Sequence, residues 1–401
     1  MNKKLQLALV YLLLLLVVCT LLYNIWPFNL NLLLGAAIVV VVILLMIINK
    51  NTTIILIISV VCVLLSLSFS NSCLSSLSQS IYWLLGICLL TLISNKKFIK
   101  GIIEILNERA NIISLFTIVS NAVILISLFL ASSYRIRYDD VFFLGFTNHQ
   151  HTEASACCAV LALSLLNIHL RRNKTSFVRF FMFLLFVPGL VAIFASSARV
   201  FLVPLVIIVL FTLLFEVKKN IYTPVLVLVA FLTIFFIFIN SNVFARTLGY
   251  IGQTENVFTS GRLDFWLYDY NEFKTLSFSE KLFGKGFDYI ALLNKDYTGV
   301  AIGAHNDFLT SLLGVGYFGF AIYLFSVLRE IVSTRFSGSF FKSIFLAVFI
   351  LVPSLLNGFY GYPTLVFSYV ILKCVMVDNN AIQKEKRYYF ANRCSFNVSD
   401  Y

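Results

Sequence analysis

Charged side chains are scarce in this chain. Asp, Glu, Lys and Arg make up 12% of its 401 residues, about half of the ~25% that is typical of soluble proteins. Apolar residues reach 60%, and phenylalanine alone occurs 41 times. A water-soluble domain with so little charge would precipitate, whereas a chain whose outer surface faces hydrocarbon would not. The shortage of charge therefore excludes an ordinary soluble protein and predicts a membrane protein.

Metal-binding patterns are missing as well. The eight cysteines show no spacing typical of a metal site, and four of them lie inside apolar runs, where cysteine behaves as a small hydrophobic residue. No Asp-x-Asp pattern lies in the segments predicted to face outward. Asp139 and Asp140 come nearest, but adjacent side chains rarely bind one ion together. We therefore expect neither a metal nor a cofactor.

Apolar runs of spanning length recur along the chain, since roughly 20 helical residues cross a bilayer core of about 30 Å. The first run follows Lys3 and Lys4 and has no small-residue cleavage site after it, so we expect a retained helix instead of a signal peptide. The sequence predicts about twelve transmembrane helices, at 5–23, 30–48, 53–71, 76–94, 112–131, 152–168, 177–196, 199–216, 222–240, 306–328, 339–356 and 359–377.

Most basic residues fall in every second short connection, which is the pattern of the positive-inside rule. The net charge of +12 therefore indicates topology and does not indicate nucleic-acid binding. We expect a multi-pass protein of the bacterial inner membrane, with both termini cytoplasmic and membrane lipids around it. The segment 98–111 is too polar to span, and we expect either an interfacial helix or a plain linker there.

The predicted organisation has four parts. Residues 1–240 hold the first nine spans, with an outer segment at about 132–152. Residues 241–305 form one large periplasmic loop, residues 306–378 hold the last three spans, and residues 379–401 form a cytoplasmic tail. We see no internal repeat of the kind that many transporters show.

Two arginines are predicted at the outer membrane boundary. Arg199 ends the tight turn at 196–199 between two apolar runs. If both flanking helices are packed in the bundle, its guanidinium would point into an outer cavity. Arg262 follows Gly261 in the large loop, and Trp266 lies one helical turn later on the same face. An interfacial anchor, for Arg199, is the simpler alternative.

A histidine is predicted at the outer mouth of the tenth span. His305 and Asn306 precede this helix, and Gly316 and Gly319 would let it pack closely against a neighbour. Histidine is the side chain best suited to take a proton near neutral pH. A structural role is the alternative. Together with two outward arginines, however, the pattern indicates a site that binds a multiply charged anion such as pyrophosphate and activates a nearby hydroxyl.

The order of these motifs resembles the O-antigen polymerase and ligase superfamily of membrane glycosyltransferases. A Ser-x-Arg turn, a Gly-Arg pair with a following Trp, and His-Asn at the start of a glycine-containing helix occur in that order over about residues 190–330. The resemblance implies an all-α, GT-C-like membrane fold and metal-independent inverting transfer from an undecaprenyl-pyrophosphate-linked saccharide at the periplasmic face. It implies that Arg199 and Arg262 bind the pyrophosphate and that His305 is the base.

Polymerase and ligase differ in their acceptor. A polymerase joins the growing glycan to another lipid-linked repeat unit, and a ligase transfers the finished chain to the lipid A core. We favour the polymerase, because segment 282–286 and the motif that begins at His305 look more like polymerases. Its expected partners are lipid-linked donor and acceptor oligosaccharides, with a chain-length regulator as a further candidate. Candidate saccharide or acceptor contacts are Arg135, Arg137, His149, His151, Glu153 and Asn306.

A lipid-linked oligosaccharide flippase is the alternative from another class. A flippase would be expected to carry charges in mid-membrane that line a cavity. Here the predicted spans are nearly free of charge at their centres, and Glu153 and Lys373, near predicted helix ends, are the nearest exceptions. This pattern favours an enzyme that works at one face.

Overall fold

The computed structural model describes residues 2–25, 30–137, 140–171, 181–216, 262–335 and 340–377. These residues are almost wholly helical, as the sequence predicts, apart from one small hairpin. The helices are α1 (Lys3–Leu21), α2 (Leu30–Ile48), α3 (Lys50–Ser68), α4 (Cys73–Ile93), α5 (Lys96–Glu108), α6 (Ala110–Leu128), α7 (Gln150–Leu170), α8 (Phe186–Ser196), α9 (Leu202–Phe211), α10 (Arg262–Thr275), α11 (Phe278–Phe283), α12 (Asp288–Thr298), α13 (Asp307–Arg335), α14 (Phe340–Leu356) and α15 (Pro363–Val377), and the strands are β1 (Tyr134–Arg137) and β2 (Asp140–Phe143).

Six described helices are long and apolar enough to cross a membrane, namely α1, α2, α4, α6, α7 and α13. This finding is compatible with a multi-pass membrane protein, but it does not agree with the predicted count of twelve spans. Five further apolar helices coincide with predicted runs and have only 10–17 residues. A 17-residue helix is about 26 Å long, which is shorter than the hydrocarbon core. The predicted ninth span, 222–240, lies outside the described residues.

Local features account for the shorter helices. The turn after Ser196 ends α8, and a π-helical turn at Thr212–Glu216 follows α9. In α14, Pro353 lacks an N–H group and lies near the helix end, where its carbonyl accepts from the backbone of Asn357 and Gly358. Runs of apolar residues thus overestimate the length of regular helix, because hydropathy does not register these interruptions.

Helix α7 lies at the centre of the bundle. In its most apolar window 94% of the residues are buried, against 33% in α2. It contacts α1, α6, α8 and α9. Small residues allow close approach: a Cβ at Gly189 of α8 would lie only 3.1 Å from Leu161 Cγ of α7. Helices α1, α6, α8 and α9 therefore surround α7.

The chain connections meet at two opposite ends of the bundle. At one end, the amide of Asn24 after α1 donates to the carbonyl of Phe146 before α7 (2.8 Å). At this same end, Ser70 after α3 donates its hydroxyl to the carboxylate of Asp288 in α12 (2.8 Å). We call this the site end, because the residues considered below lie there. These pairings follow the predicted alternation of the spans.

The opposite end contains α5 and a buried ion pair. Helix α5 is amphipathic, with Phe98 and Ile102 among its buried residues, so the predicted helix within 98–111 is confirmed as a helix. Deeper in the bundle, Lys373 of α15 donates to Glu330 of α13 (2.6 Å), and both side chains are buried. Lys373 also donates to the carbonyl of Ile93 at the end of α4 (2.9 Å). Three helices are joined there by one charge pair.

Helix α13 is broken near the site end. Gly316 has φ 68° and ψ −167°, which is not helical, and glycine is the residue that adopts such a conformation readily. The segment between α11 and α12 fills the break: the amides of Lys285 and Gly286 donate to the carbonyls of Leu313 and Gly314, both at 3.0 Å. The predicted close packing at Gly316 is therefore found: a Cβ there would clash with the Leu282 carbonyl, so its partner is the end of α11.

The predicted outer segment at 132–152 contains the hairpin. Strands β1 and β2 pair antiparallel, with Tyr134 opposite Phe143. The Tyr134 hydroxyl donates to the carbonyl of Leu128 at the end of α6 (2.9 Å), and Phe143 is buried. The sequence did not predict this hairpin, because two four-residue strands show too little alternation to be recognised.

Candidate functional site

His305 lies in the short connection between α12 and α13, in a left-handed conformation with φ 51°. Its neighbours hold it from both sides. The Trp266 indole of α10 donates to the carbonyl of Ala304 (2.7 Å), and the Asn306 side chain accepts from the amides of Phe308 and Leu309 at 3.0 and 3.1 Å. Positive φ is uncommon outside glycine, so these contacts fix an otherwise unfavoured backbone.

Asn306, a candidate substrate contact, therefore has a structural task. Its amide oxygen caps the start of α13, which satisfies amides that lack partners within the helix. The His-Asn pair was interpreted as part of a catalytic motif, but its asparagine is the N-cap residue of α13.

Arg262 is the first residue of α10 and is partly buried. Its guanidinium donates to the carbonyl of Leu356, the last residue of α14. The interaction holds the start of α10 against the end of α14. Trp266, one turn later, contacts the residue that precedes His305. Arg262 and His305 are therefore brought together by α10, which contacts both the end of α14 and the residue before His305.

Arg199 lies in the predicted tight turn, which the structure confirms between α8 and α9. Ser197 ends α8 in a left-handed conformation (φ 55°), and the Ser196 hydroxyl accepts from the amide of Ala198 (3.3 Å). A 3₁₀ turn, Arg199–Phe201, then leads into α9. Among the described residues, Ser197 and His305 are the two non-glycine residues with positive φ. Such strain is often found at functional sites.

Aromatic contacts link the Arg199 turn to the other elements. The ring of Phe201 is fully buried and lies 5.9 Å from His151 and 5.4 Å from Tyr362, between ring centroids. His151 in turn lies 5.0 Å from His149. Tyr362 belongs to the connection between α14 and α15 and accepts from the Asn357 amide (3.1 Å). Three separate parts of the chain thus meet at the site end.

His149 and His151 start α7. The His149 ring accepts from the amide of His151 (3.3 Å), which makes His149 the N-cap residue. Both rings are partly exposed. They lie on the same side of the bundle as His305, since His149 influences the charge state of that side chain. His149 and His151, two of the candidate contacts, therefore lie at the site end together with His305.

Glu153 is enclosed. Its side chain is buried beneath Gly145, whose added Cβ would lie 2.6 Å from the carboxyl group. The Cys157 thiol donates to Oε1 (3.6 Å), and Oε2 has no hydrogen-bond partner among the described residues. The expectation that Glu153 lies at the rim, where a saccharide could contact it, is not met, because α7 is buried on all sides.

Of the two candidate arginines in the hairpin, the structure describes the side chain of Arg135. Arg135 is exposed on β1, and its side chain makes no hydrogen bond or ion pair with the described residues. The Arg137 side chain lies outside the described part of the chain, as do Gly261 and the residues from 217 to 260.

Asp307 is the most important residue that the sequence argument missed. Its carboxylate is buried and accepts from the Tyr323 hydroxyl (3.0 Å) and from the amides of Phe359 and Tyr360 (2.6 and 3.3 Å). It thereby ties the start of α13 to the α14–α15 connection. Asp307 directly follows the His-Asn pair, but a single sequence gives no sign of which distant amides it binds.

Asn357 and Tyr362 were missed for the same reason. Both lie in the connection after α14, close to the Leu356 carbonyl that Arg262 contacts, and the Asn357 side chain adjoins His305. A signal was present: the connection is rich in glycine and tyrosine and lies, by alternation of the spans, at the same end as His305.

The pKa of His305 is lowered to about 4, mainly by burial and also by the neighbouring Arg262 charge and by His149, while the hydrogen bond with the Asn357 side chain opposes these effects. The imidazole is therefore uncharged at neutral pH. An uncharged imidazole can accept a proton from a hydroxyl. The partly buried guanidinium of Arg262 beside it can bind an anion.

In comparisons with known proteins, no family model matches this chain, and no curated protein matches it either.

Proposed function

We propose that this chain is a membrane glycosyltransferase of the O-antigen polymerase and ligase type, acting as a surface polysaccharide polymerase. It would transfer a growing glycan from undecaprenyl pyrophosphate to a second lipid-linked repeat unit. The observation that carries this proposal is the meeting of Arg262, neutral His305 and the Arg199 turn at one end of a helical bundle. The motif order described above supplies the reaction class.

The proposed mechanism is an inverting displacement. His305 accepts the proton of the acceptor hydroxyl while that oxygen bonds to the anomeric carbon, and the bond from this carbon to the pyrophosphate oxygen breaks. The electron pair leaves with the pyrophosphate, where Arg199 and Arg262 bind the charge with planar, multiply donating groups. Pyrophosphate is a good leaving group, so one base suffices.

The proposal includes an orientation. The site end would face the periplasm and both termini the cytoplasm of a bacterial inner membrane, within a GT-C-like arrangement of about twelve spans. Lys97 at the start of α5 and Lys295 in α12 are both exposed and lie at opposite ends. In a variant without native cysteines, Lys295→Cys should react with an impermeant thiol reagent in whole cells, and Lys97→Cys should be protected. The reverse result would contradict the orientation.

Transport is the competing function. Glu330 and Lys373, two charges inside the bundle, are buried and paired with each other, and this arrangement supports an enzyme over a flippase. The decisive measurement uses purified full-length protein and undecaprenyl-pyrophosphate repeat units, without ATP or membrane potential and with EDTA. Formation of glycosidic bonds supports the proposal. Movement of lipid-linked units across vesicles with no bond formed contradicts it.

The acceptor is tested in cells. A strain without this protein should produce lipopolysaccharide that carries core plus one repeat unit, because capping by a ligase would continue. Bare core with accumulated lipid-linked polymer would instead identify a ligase.

A further inference from the structure

Three partly exposed aromatic rings form a group on α10 and α12. The rings of Tyr268 and Tyr297 are stacked, with centroids 4.5 Å apart and planes 19° from parallel. Phe265 meets Tyr297 edge to face at 5.8 Å. Tyr297 is 48% exposed. The three rings keep a fixed arrangement at the surface.

Carboxylates surround this ring group. Glu272 follows Tyr268 by one helical turn, and Asp296 adjoins Tyr297 in sequence; both are close enough to Tyr268 to act on its hydroxyl electrostatically. Electron-rich ring faces attract the polarised C–H groups on the flat side of a pyranose. Carboxylate oxygens accept hydrogen bonds from sugar hydroxyls. The combination of rings and acceptors suits a neutral, hydroxyl-rich ligand.

The three aromatic rings lie close to the candidate site, because two of them are on the same helix as Arg262. Arg262 is the first residue of α10, and Phe265 and Tyr268 follow it by one and two turns. With a rise of about 1.5 Å per residue, the rings lie roughly 5–9 Å further along the helix axis, a distance that about one or two sugar units cover. A glycan whose end is held at Arg262 and His305 therefore reaches the rings.

A membrane surface is the other class of partner for exposed aromatic side chains, since tyrosine is enriched at lipid headgroups. The charges here argue against it. Glu272 and Asp296 lie beside the rings, and carboxylates are repelled by the anionic lipids of bacterial membranes. A cationic flank of the kind that favours membrane binding lies instead around Tyr270, where Lys274 is 4.6 Å from the ring centroid.

We propose that Phe265, Tyr268 and Tyr297 form a saccharide-binding platform that holds the glycan next to the reacting sugar. The proposal rests on the proposed function for the identity of the glycan, but not for the existence of the binding surface. Each ring would stack on one sugar face, and the adjoining carboxylates would bind the outward hydroxyls.

The test measures binding and transfer separately on full-length protein in nanodiscs. The probe for binding is the lipid-free oligosaccharide released by mild acid from the lipid-linked saccharides of the producing strain, observed by saturation-transfer difference NMR. Tyr268→Ala and Tyr297→Ala should each weaken its binding by about tenfold, the loss typical of a truncated aromatic anchor. Tyr270→Ala is the matched control, because Tyr270 is also exposed on α10 but lies beside Lys274.

The outcomes separate the two proposals. If the wild type binds the oligosaccharide through these rings but forms no glycosidic bond, the platform stands and the polymerase fails. If the wild type polymerises while Tyr268→Ala and Tyr270→Ala bind the oligosaccharide equally well, the platform is overturned and the polymerase stands. If Tyr268→Ala leaves glycan binding unchanged but weakens the contact of α10 and α12 with anionic lipids of the nanodisc, the rings are a membrane contact and the platform is overturned.

Discussion

Two groups of charged and titratable side chains, one at each end of the bundle, are held in different ways. At the opposite end, Glu330 and Lys373 are buried and bind each other, and hydroxyl and carbonyl groups of the protein satisfy the remaining atoms of the pair. At the site end, Arg262, His149 and His305 are partly exposed. Arg262 donates to the Leu356 carbonyl of α14, and the His149 ring accepts from the amide of His151. The first arrangement joins helices. The second positions groups that can still meet a ligand, and this difference separates a structural charge from a candidate functional one.

The largest expected effect is at His305. His305→Gln keeps a similar size and can hydrogen bond, but it cannot accept a proton, so transfer should fall by about a hundred- to ten-thousand-fold. Donor binding and expression should be nearly unchanged. The measurement is in vitro polymerisation beside binding of the lipid-linked donor. Full activity of His305→Gln would remove the base from the proposed mechanism.

The same residue gives a pH prediction. Since the pKa of His305 is lowered to about 4, the basic form dominates at all pH values well above 4. Transfer should therefore persist through pH 5.5 and decline only as the pH falls toward about 4. A histidine with an ordinary pKa would lose its basic form near pH 6.5. A pH–rate profile over the range in which the protein stays folded tells the two apart, and a decline centred near 6.5 would show that His305 is more solvated during the reaction than in this structure.

The second largest effect concerns the opposite end and should be on stability alone. Lys373→Met leaves Glu330 buried without its cation, and breaking a buried pair costs about 3–5 kcal/mol. Replacing both residues, as Glu330→Gln with Lys373→Met, should recover most of that loss. Thermal unfolding in detergent measures the stability, and turnover of the folded fraction should stay near that of the wild type. A specific loss of turnover in a stable double variant would show that the two ends are not independent.

Arg262 should show a mixed effect, because it both binds the Leu356 carbonyl and lies beside His305. Removal of one such donor typically lowers turnover about 10²–10³-fold. Arg262→Lys keeps the charge but loses the planar fork, so it should restore activity only in part. Combined with Arg199→Ala, the losses should be less than additive, since both groups would bind one pyrophosphate. Strict additivity would place the two arginines on different groups.

The smallest effect is expected at Asn357, which would orient His305 without touching the substrate. Asn357→Ala should lower the turnover number by about tenfold with little change in KM, the split expected for a positioning residue. Asn357→Asp should alter the pH profile as well, because a carboxylate beside the imidazole favours its protonated form and raises its pKa. An unchanged profile in Asn357→Asp would show that the two side chains do not interact during turnover.

Composition and hydropathy predicted the membrane-type helical fold, since each described apolar helix coincides with a run of apolar residues. The positions of the Arg199 turn, of His305 and of the α5 helix were also predictable, because helix ends and amphipathic faces leave local signals. Helix length was not, because hydropathy does not register the π turn after α9 or Pro353 near the end of α14. Apolar patterning says little about either.

Contacts between distant segments lay beyond the sequence argument. Asp307 binds amides some fifty positions away, and Asn357 reaches His305 only because α13 and α14 fold back on each other. Glu153 was expected at the rim of the outer segment because it lies near a predicted helix end, yet the packing of α7 encloses it. A single sequence locates polar residues along the chain but does not say which of them share a neighbour.

The break in α13 has a consequence for the assembly of the protein. The carbonyls of Leu313 and Gly314 lie in a helix long enough to span the membrane, yet they bind Lys285 and Gly286 from the segment that precedes it. An unsatisfied carbonyl in hydrocarbon costs several kcal/mol, so α13 is not a self-sufficient span. During synthesis, segment 284–286 must therefore be in position before α13 docks into the bundle, or must dock together with it. A defect in the placement of α11 and α12 would therefore appear as a failure of α13 to pack into the bundle.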